Sequence, residues 1–484
     1  MSSPKTHTNL LRLALPLLAT AAMFATAAMF ATGCSNGNMS SSSTQGATTG
    51  PAFVVGTDAP LASVVSFPVV VESVVLTGAT NSGNLVSGSP TVDFARFNGL
   101  QTLIDMNDID TGSYTGVNIT LGAATIGYLN TTTTPYSIAT MSATYPSSAT
   151  TYTVSIQLDK TLTITTTGTT DGLRMDFDLA KSIAVDGTGA ITGAVTPTLD
   201  VHVVSRTDQG GHIDTLIAGV LSVNSTAGTF VVQGPHGEQF NITTNGNTNW
   251  DGGATIGALN TSSIVEISGS LDPADQTLDA DEVAILADKG LYATGQITNV
   301  TPTTGAATSF DMYVRAVEPA NTTLLGNIAD VTLTGNEKYY IYWFHNPFTQ
   351  FLFNSSALVA GQDIGLGGAT TSVSGTAVTN VDRIHLRSWG FNGTIVAGSQ
   401  SSANGTFQMK VTGFAGVLIP ETITVYLGSA SDFRYGLGAF TDLTNGANIR
   451  VVGLLLKNPT NGNVVLLARH CDGLNFTDFA TAAY

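Results

Sequence analysis

The side chains in this 484-residue chain best suited to nucleophilic or acid–base chemistry are two cysteines and seven histidines. They are Cys34 and Cys471, with His7, His202, His212, His236, His345, His385 and His470. A hydrolase built from them needs a nucleophile held beside a base, and a third group to orient that base. No G-x-S-x-G elbow occurs, and no S-x-x-K follows residue 33. His470 adjoins Cys471, but neighbours on a strand point to opposite faces and do not readily share a hydrogen bond. Zinc has neither H-E-x-x-H nor C-x-x-C to build on, and no motif asks for a cofactor.

Two acidic clusters have the ligand type that calcium takes, carboxylates mixed with backbone carbonyls. One is Asp105, Asp108 and Asp110; the other is Asp272, Asp275, Asp279, Asp281 and Glu282. Neither follows the EF-hand loop, because Ile109 stands at its fifth position and Gly112 falls late. Asp also initiates turns for purely local reasons, so both readings stay open. A third constellation is aromatic: eight of the fifteen residues from Tyr339 to Phe353 are Phe, Tyr or Trp. Exposed, Tyr342 and Trp343 would give a flat platform for a sugar ring or an anchor for a protein partner. Buried, the same rings would fill a barrel or close its end, the commoner fate of so large a contiguous patch.

Composition limits the partners. Only 11% of residues are charged, with 34 acids against 17 bases and a formal net charge of −17. A nucleic-acid binder needs a basic face, so that class is excluded. The 43% hydrophobic content argues against wholesale disorder. One long apolar run exists, at the start of the chain, which excludes a multi-pass membrane protein.

That run, Leu10 to Ala31, follows Lys5, carries Arg12 near its start and contains the duplicated hexapeptide 21–26 and 27–32. A basic start, an apolar stretch and small residues make residues 1–33 a secretory signal. It ends Ala31-Thr32-Gly33-Cys34, which resembles the lipobox of bacterial lipoproteins, with Ala31 where Leu is usual. The resemblance implies acylation of Cys34 and anchorage in a membrane, leaving Cys471 unpaired. Ser35 in place of an Asp implies, by the same resemblance, sorting to the outer membrane. Residues 34–50, rich in Ser, Thr and Gly, read as a flexible tether. Loss of Lys5 and Arg12 with the signal takes the charge from −17 to −19.

The rest of the chain has the period of strands. Tyr152, Val154, Ile156 and Leu158 alternate with Thr, Ser and Gln, and Phe407, Met409, Val411 and Ile423, Val425, Leu427 repeat the pattern. Gly, Asn, Asp and Pro clusters punctuate the runs. The expected fold is all-β: a β-sandwich over 51–207, then two or three small β-barrel modules in tandem. Their boundaries are 212–290, 291–388 with the aromatic insertion, and 389–474, before a tail at 475–484.

Within the sandwich segment, Thr57-Asp58-Ala59-Pro60, Gly112-Ser113-Tyr114 and Phe177-Asp178-x-x-x-Ser182 appear in order. These landmarks resemble a bacterial lipoprotein domain family of unknown function, which implies an immunoglobulin- or transthyretin-like sandwich and no reaction. The later segment repeats a glycine-led strand (Gly219, Gly295, Gly393), an aromatic-led strand (Phe230, Phe310, Phe407) and a strand closing on glycine (Gly269, Gly368, Gly453). This repeat resembles a second uncharacterised bacterial family of small β-barrels. The glycines belong where a strand bends sharply.

The functional expectation is a lipid-anchored cell-envelope protein of structural or binding type, without catalysis. Its partners are the membrane, through acylated Cys34, and a glycan or another envelope protein, and not nucleic acid. The alternatives are a surface glycan- or polymer-binding lipoprotein that uses Tyr339–Phe353, and less strongly an exported hydrolase. Metabolic labelling with a radioactive fatty acid tests the anchor: Cys34→Ser abolishes incorporation if Cys34 is acylated, and persistent label refutes it.

Overall fold

Alternation in the sequence becomes alternation in space. Along Tyr152–Ile164 the apolar side chains pack on the core, while Thr153, Ser155 and Gln157 stay exposed. The computed structural model describes residues 49–473, apart from 60–63, 98–99, 131–136, 167–170, 188–189, 208–210, 235–238, 252–253, 273–274, 320, 342–350, 372–374, 413–417, 420–421 and 435. The fold is all-β, with four modules.

The first module holds twelve strands: β1 (Thr49–Ala59), β2 (Val64–Ser66), β3 (Pro68–Gly78), β4 (Thr91–Asp93), β5 (Thr102–Asp110), β6 (Gly112–Asn130), β7 (Ser137–Ser142), β8 (Tyr152–Ile164), β9 (Asp171–Asp178), β10 (Ile183–Val185), β11 (Ile191–Val195) and β12 (Leu199–Ser205). One sheet runs β12-β9-β1-β5, a second is built on β6 with β2, β3, β4, β7 and β8, and β10 and β11 form a small two-stranded sheet. Phe67, Phe94 and Phe177 meet between the sheets, each outer ring 5.1 Å from Phe177. β1 begins at Thr49, two residues inside the segment expected to be tether.

The sequence landmarks of this module are structural devices. Tyr114 donates its hydroxyl to the Asp110 carbonyl at 2.7 Å. Asp178 caps the single helical turn Leu179–Ser182 by accepting from the Lys181 amide, and the Ser182 hydroxyl accepts from the Thr198 amide at 2.9 Å. The first is a local cap, and the second ties the helical turn to the segment sixteen residues on, just before β12.

The first barrel comprises β13 (His212–Asn224), β14 (Thr229–Gln233), β15 (Gln239–Thr243), β16 (Asn249–Trp250), β17 (Ile264–Asp272) and β18 (Thr277–Ala287). The second has β19 (Leu291–Thr301), β20 (Ser309–Glu318), β21 (Ile328–Thr332), β22 (Lys338–Ile341), β23 (Asp363–Thr371), β24 (Ala377–Thr379) and β25 (Arg383–Leu386). The third has β26 (Trp389–Ile395), β27 (Thr406–Val411), β28 (Thr422–Arg434), β29 (Asn448–Lys457) and β30 (Val464–Gly473).

All three close into the same ring. The first strand pairs the second, the second the third, the third runs parallel to the last, and the fourth returns to the first. This circuit is that of a five-stranded Greek-key barrel of OB type. A further parallel stretch follows each third strand: β16 on β18, β22 on β25, and Asp432–Arg434 of β28 on β30. The closing glycines Gly269 and Gly453 sit at register shifts, where a Cβ would collide with the facing carbonyls of Asp279 and Leu467. Gly368 differs, taking a positive φ of 72°.

The modules pack into one body because several strands are buried on both faces. On β1, Ala52 and Val54 enter the sandwich core while Phe53 and Val55 enter the core of the first barrel. On β29 and β30, Leu455 and Leu466 fill the third barrel while Leu454, Leu456 and Leu467 pack on the second. Such strands read as continuous apolar runs, as PAFVV and VVGLLL do.

Charged groups lock these junctions. Arg387, just after β25, bonds Glu266 of β17 and, through Nε, Asp363 of β23 at 3.1 Å. Its Nη1 also reaches the Tyr292 hydroxyl at 3.3 Å, and Glu266 accepts from the Thr215 hydroxyl at 2.7 Å. Arg315 of β20 bonds Gln296 at 3.0 Å and the Val65 carbonyl of the sandwich at 3.4 Å, and lies 4.4 Å above the Trp389 ring of the third barrel. Removing one partner of a buried pair strands the other's charge, at about 3–5 kcal/mol. Arg387→Ala is therefore expected to lower stability by about that amount in urea titrations, while Glu266→Gln and Asp363→Asn added to Arg387→Met recover most of the loss; a loss below about 1 kcal/mol for Arg387→Ala would contradict the assignment.

Candidate functional site

A cleft of about 380 Å³ opens between the first and second barrels. Asp251, Ala254, Ala258, Asn260, Ile285 and Asp288 line it from the first, and Tyr340 and Arg383 from the second. Local chemistry places each. Asp251 follows the two-residue strand β16, which holds to β18 through Asn249 and Glu282. Asn260 ends the loop before β17, its carboxamide oxygen accepting from the Ser262 amide at 2.8 Å. β22 and β25 run side by side, so Tyr340 stands opposite His385.

The second-barrel wall is rigidly backed. The Tyr340 ring stacks on His385, with centroids 5.4 Å apart at 20°. His385 meets Tyr292 edge-on at 5.9 Å, and Tyr292 reaches Arg387. The cleft wall thus continues into the buried charges. Burial, then the charges of Arg383 and Arg387, hold His385 well below the usual histidine range, so the imidazole is neutral. Arg383 crosses the junction, donating to the Ile285 carbonyl at 3.1 Å and pairing with Asp288.

Behind Asp251 lies an acid pair. The Glu282 carboxyl is hydrogen-bonded to Asp251 and accepts from Asn249 Nδ2 at 3.0 Å. Burial raises Glu282 to about 8, and the charge of Asp251 reinforces it. At neutral pH the pair holds a proton. The set of one aromatic ring, a shared-proton carboxyl pair, an amide and an Arg–Asp couple suits the hydroxyls and ring face of a small polar ligand.

The residues singled out from the sequence fare unevenly. Cys34, Tyr342 and Trp343 lie outside the described residues. Elsewhere in the aromatic segment, Tyr339 packs on Phe353 at 5.5 Å and Phe351 on Tyr426 of the third barrel at 5.6 Å. Of the described rings in that segment, Tyr340 lines the cleft.

The first acidic cluster is divided by the strand that carries it. Asp105 is buried and accepts from the Ser87 hydroxyl at 2.7 Å, while Asp108 is exposed and accepts from Gln276. Asp110 stands at the far end of β5. In the second cluster Asp272 pairs with Arg206 at 2.7 Å, Asp279 accepts from Thr243, and Asp275 is exposed in the intervening turn. Among the described residues, no three of His, Cys, Asp and Glu gather as a metal site. Cys471 faces the interior of the third barrel, and burial pushes its thiol far above the ordinary range. His470 and Asp472, on the other face, bond each other at 2.8 Å.

Asp251, Asn260, Asp288 and Arg383 carried no signal in the sequence. Glu282 appeared only as a calcium candidate, and its partner lies 31 residues earlier.

Residues 51–192, from β1 into β11, are a domain of a family described as a domain of unknown function, DUF4382. The match covers the sandwich as far as the start of β11, stops short of β12, and includes none of the barrels. No curated protein matches the chain.

Near the sandwich junction, His212 contacts Asp281 at 3.2 Å and Asp214 at 3.7 Å. Burial alone would lower its pKa, but the bonds to these carboxylates outweigh it and raise it to about 9. A raised histidine stabilises the fold below its unfolded value of about 6.5 and loses that contribution as pH rises through 9. The native chain should therefore lose about 2 kcal/mol more than His212→Gln between pH 6.5 and 9.5. Parallel pH profiles in chemical denaturation would refute the pairing.

Proposed function

We propose that the chain is an exported, lipid-anchored cell-envelope protein, held by Cys34 on a short tether, that binds a small or polymeric ligand in the cleft between its first two barrels. The observation that carries the reading is the cleft itself: an aromatic ring backed by a neutral histidine, facing carboxyl and amide groups on a second rigid module. The low charge supports it from another side. Surfaces of Thr, Ser and Asn suit hydrogen bonding to neutral or sparsely charged partners, and the formal charge of −17 disfavours anionic ones.

A second reading rests on the acid pair, which could activate water as an exported hydrolase would require. Glycoside hydrolysis needs carboxyl groups about 5–5.5 Å apart for retention and about 6.5–9.5 Å for inversion. Asp251 and Glu282 touch through a hydrogen bond, which is too close for either geometry. Binding is the better-supported function.

A glycan array probed with the full chain carrying Cys34→Ser tests it. The expected result is a restricted set of bound glycans, with Tyr340→Ala weakening binding at least tenfold, or about 1.4 kcal/mol. An empty array, or binding indifferent to Tyr340→Ala, would refute the cleft as the site. Release of reducing ends from a bound glycan would favour the hydrolase.

A further inference from the structure

We propose that the Tyr340 wall of the cleft is an acid-released latch, opened when the His385 ring behind it takes up a proton. What release does to a ligand rests on the cleft being the binding site; the release itself does not.

The histidine sits where a charge is hard to hold. It has no exposed surface. Tyr340 of β22 stacks on it and Tyr292 of β19 meets it edge-on. Both tyrosines belong to an apolar cluster with Ile217, Ala284 and Leu286 of the first barrel. The imidazole donates to the Leu286 carbonyl of β18, and so bridges the two barrels. The fit is tight: a Cβ at Gly367 of β23 would lie 2.1 Å from that oxygen and 3.4 Å from His385 Nε2.

The charged neighbours oppose a third cation. Arg383 and Arg387 stand two residues away on either side, and burial together with both guanidiniums holds the imidazole neutral. The nearby carboxylates are committed to those guanidiniums, Asp288 to Arg383, and Glu266 and Asp363 to Arg387. The wall itself is lightly held. β22 has four residues, lies at the edge of its sheet and is joined to β25 by one short parallel ladder. Such an element can open locally while the rest of the barrel stays folded.

The sign follows from linkage. A closed wall resists the proton, and an imidazole turned out to water accepts it at about 6.5. The advantage of the closed form is therefore complete above that pH, and falls by up to about tenfold for each pH unit below it. Asp363, pushed up to about 6 by burial, acts in the opposite sense, because its protonation favours the closed form. A side chain at 385 that cannot titrate separates the two.

Hydrogen exchange read by mass spectrometry on the full chain carrying Cys34→Ser tests the latch, at pH 7.5 and pH 5 with rates corrected for the intrinsic effect of pH. Protection of Lys338–Ile341 should fall at least tenfold at pH 5, while Thr406–Val411 of the third barrel changes less than threefold. No such fall is expected in His385→Phe, which keeps a ring, or in His385→Gln, which keeps a donor for Leu286. Equal protection at both pH values, or the same fall in both variants, would overturn the proposal. The unsubstituted His385 chain decides the first point even if neither variant folds. The glycan array repeated at the two pH values tests the consequence: binding at pH 7.5 should weaken at least tenfold at pH 5, and binding that persists over an opened wall would overturn the link to the ligand. An empty array beside the expected exchange would overturn the cleft as the binding site and keep the latch.

Discussion

Arg387 and the carboxylates around it are the constraint from which the arrangement of the modules follows. A guanidinium buried among Glu266, Asp363 and Tyr292 is tolerable only while all of them keep their places. Those partners come from two barrels. Arg315 ties in the other modules, touching a sandwich carbonyl and the Trp389 ring. Buried ion pairs contribute little net stability against apolar replacements, but a mispaired arrangement costs several kcal/mol. Their effect here is on orientation. Apolar faces on β1, β29 and β30 supply the adhesion, and the charges select one docking among many.

The meagre charge of the chain takes on a different meaning in this light. Few of its 17 bases could be spared for the interior, yet Arg315, Arg387 and Arg450 are all buried or nearly so. Ionic groups are sparse on the strand surfaces, where Thr and Ser predominate, and several of the bases are used at junctions. The cleft inherits its rigidity from them. From Arg387 through Tyr292 and His385 to Tyr340 there is an unbroken series of contacts. A site with a fixed wall loses less entropy on binding than one that must assemble.

Much of the fold was legible because strand period and turn residues act locally. Phe407, Met409 and Val411 announce a strand whatever their partner. The repeated glycines were legible for the same reason, since Gly269 and Gly453 answer to the close approach of one facing carbonyl each. The packing of modules was less so. Continuous runs such as VVGLLL mark a strand buried on two faces but do not say against which module.

The site was hardly legible at all. Asp251 and Glu282 meet only because β16, two residues long, pairs in parallel with β18. No periodicity forecasts so short a strand. The aromatic segment drew attention for its composition, but its rings divide by neighbour: Phe351 and Phe353 pack inward, and Tyr340 reaches the cleft because β22 lies on β25. Asp105 and Asp108, three apart, face opposite ways on one strand, which no count of carboxylates reveals. Paired buried charges thus make the four modules one cooperative body. Scanning calorimetry of the Cys34→Ser chain should show a single transition whose calorimetric and van't Hoff enthalpies agree; separate transitions for sandwich and barrels would contradict this coupling.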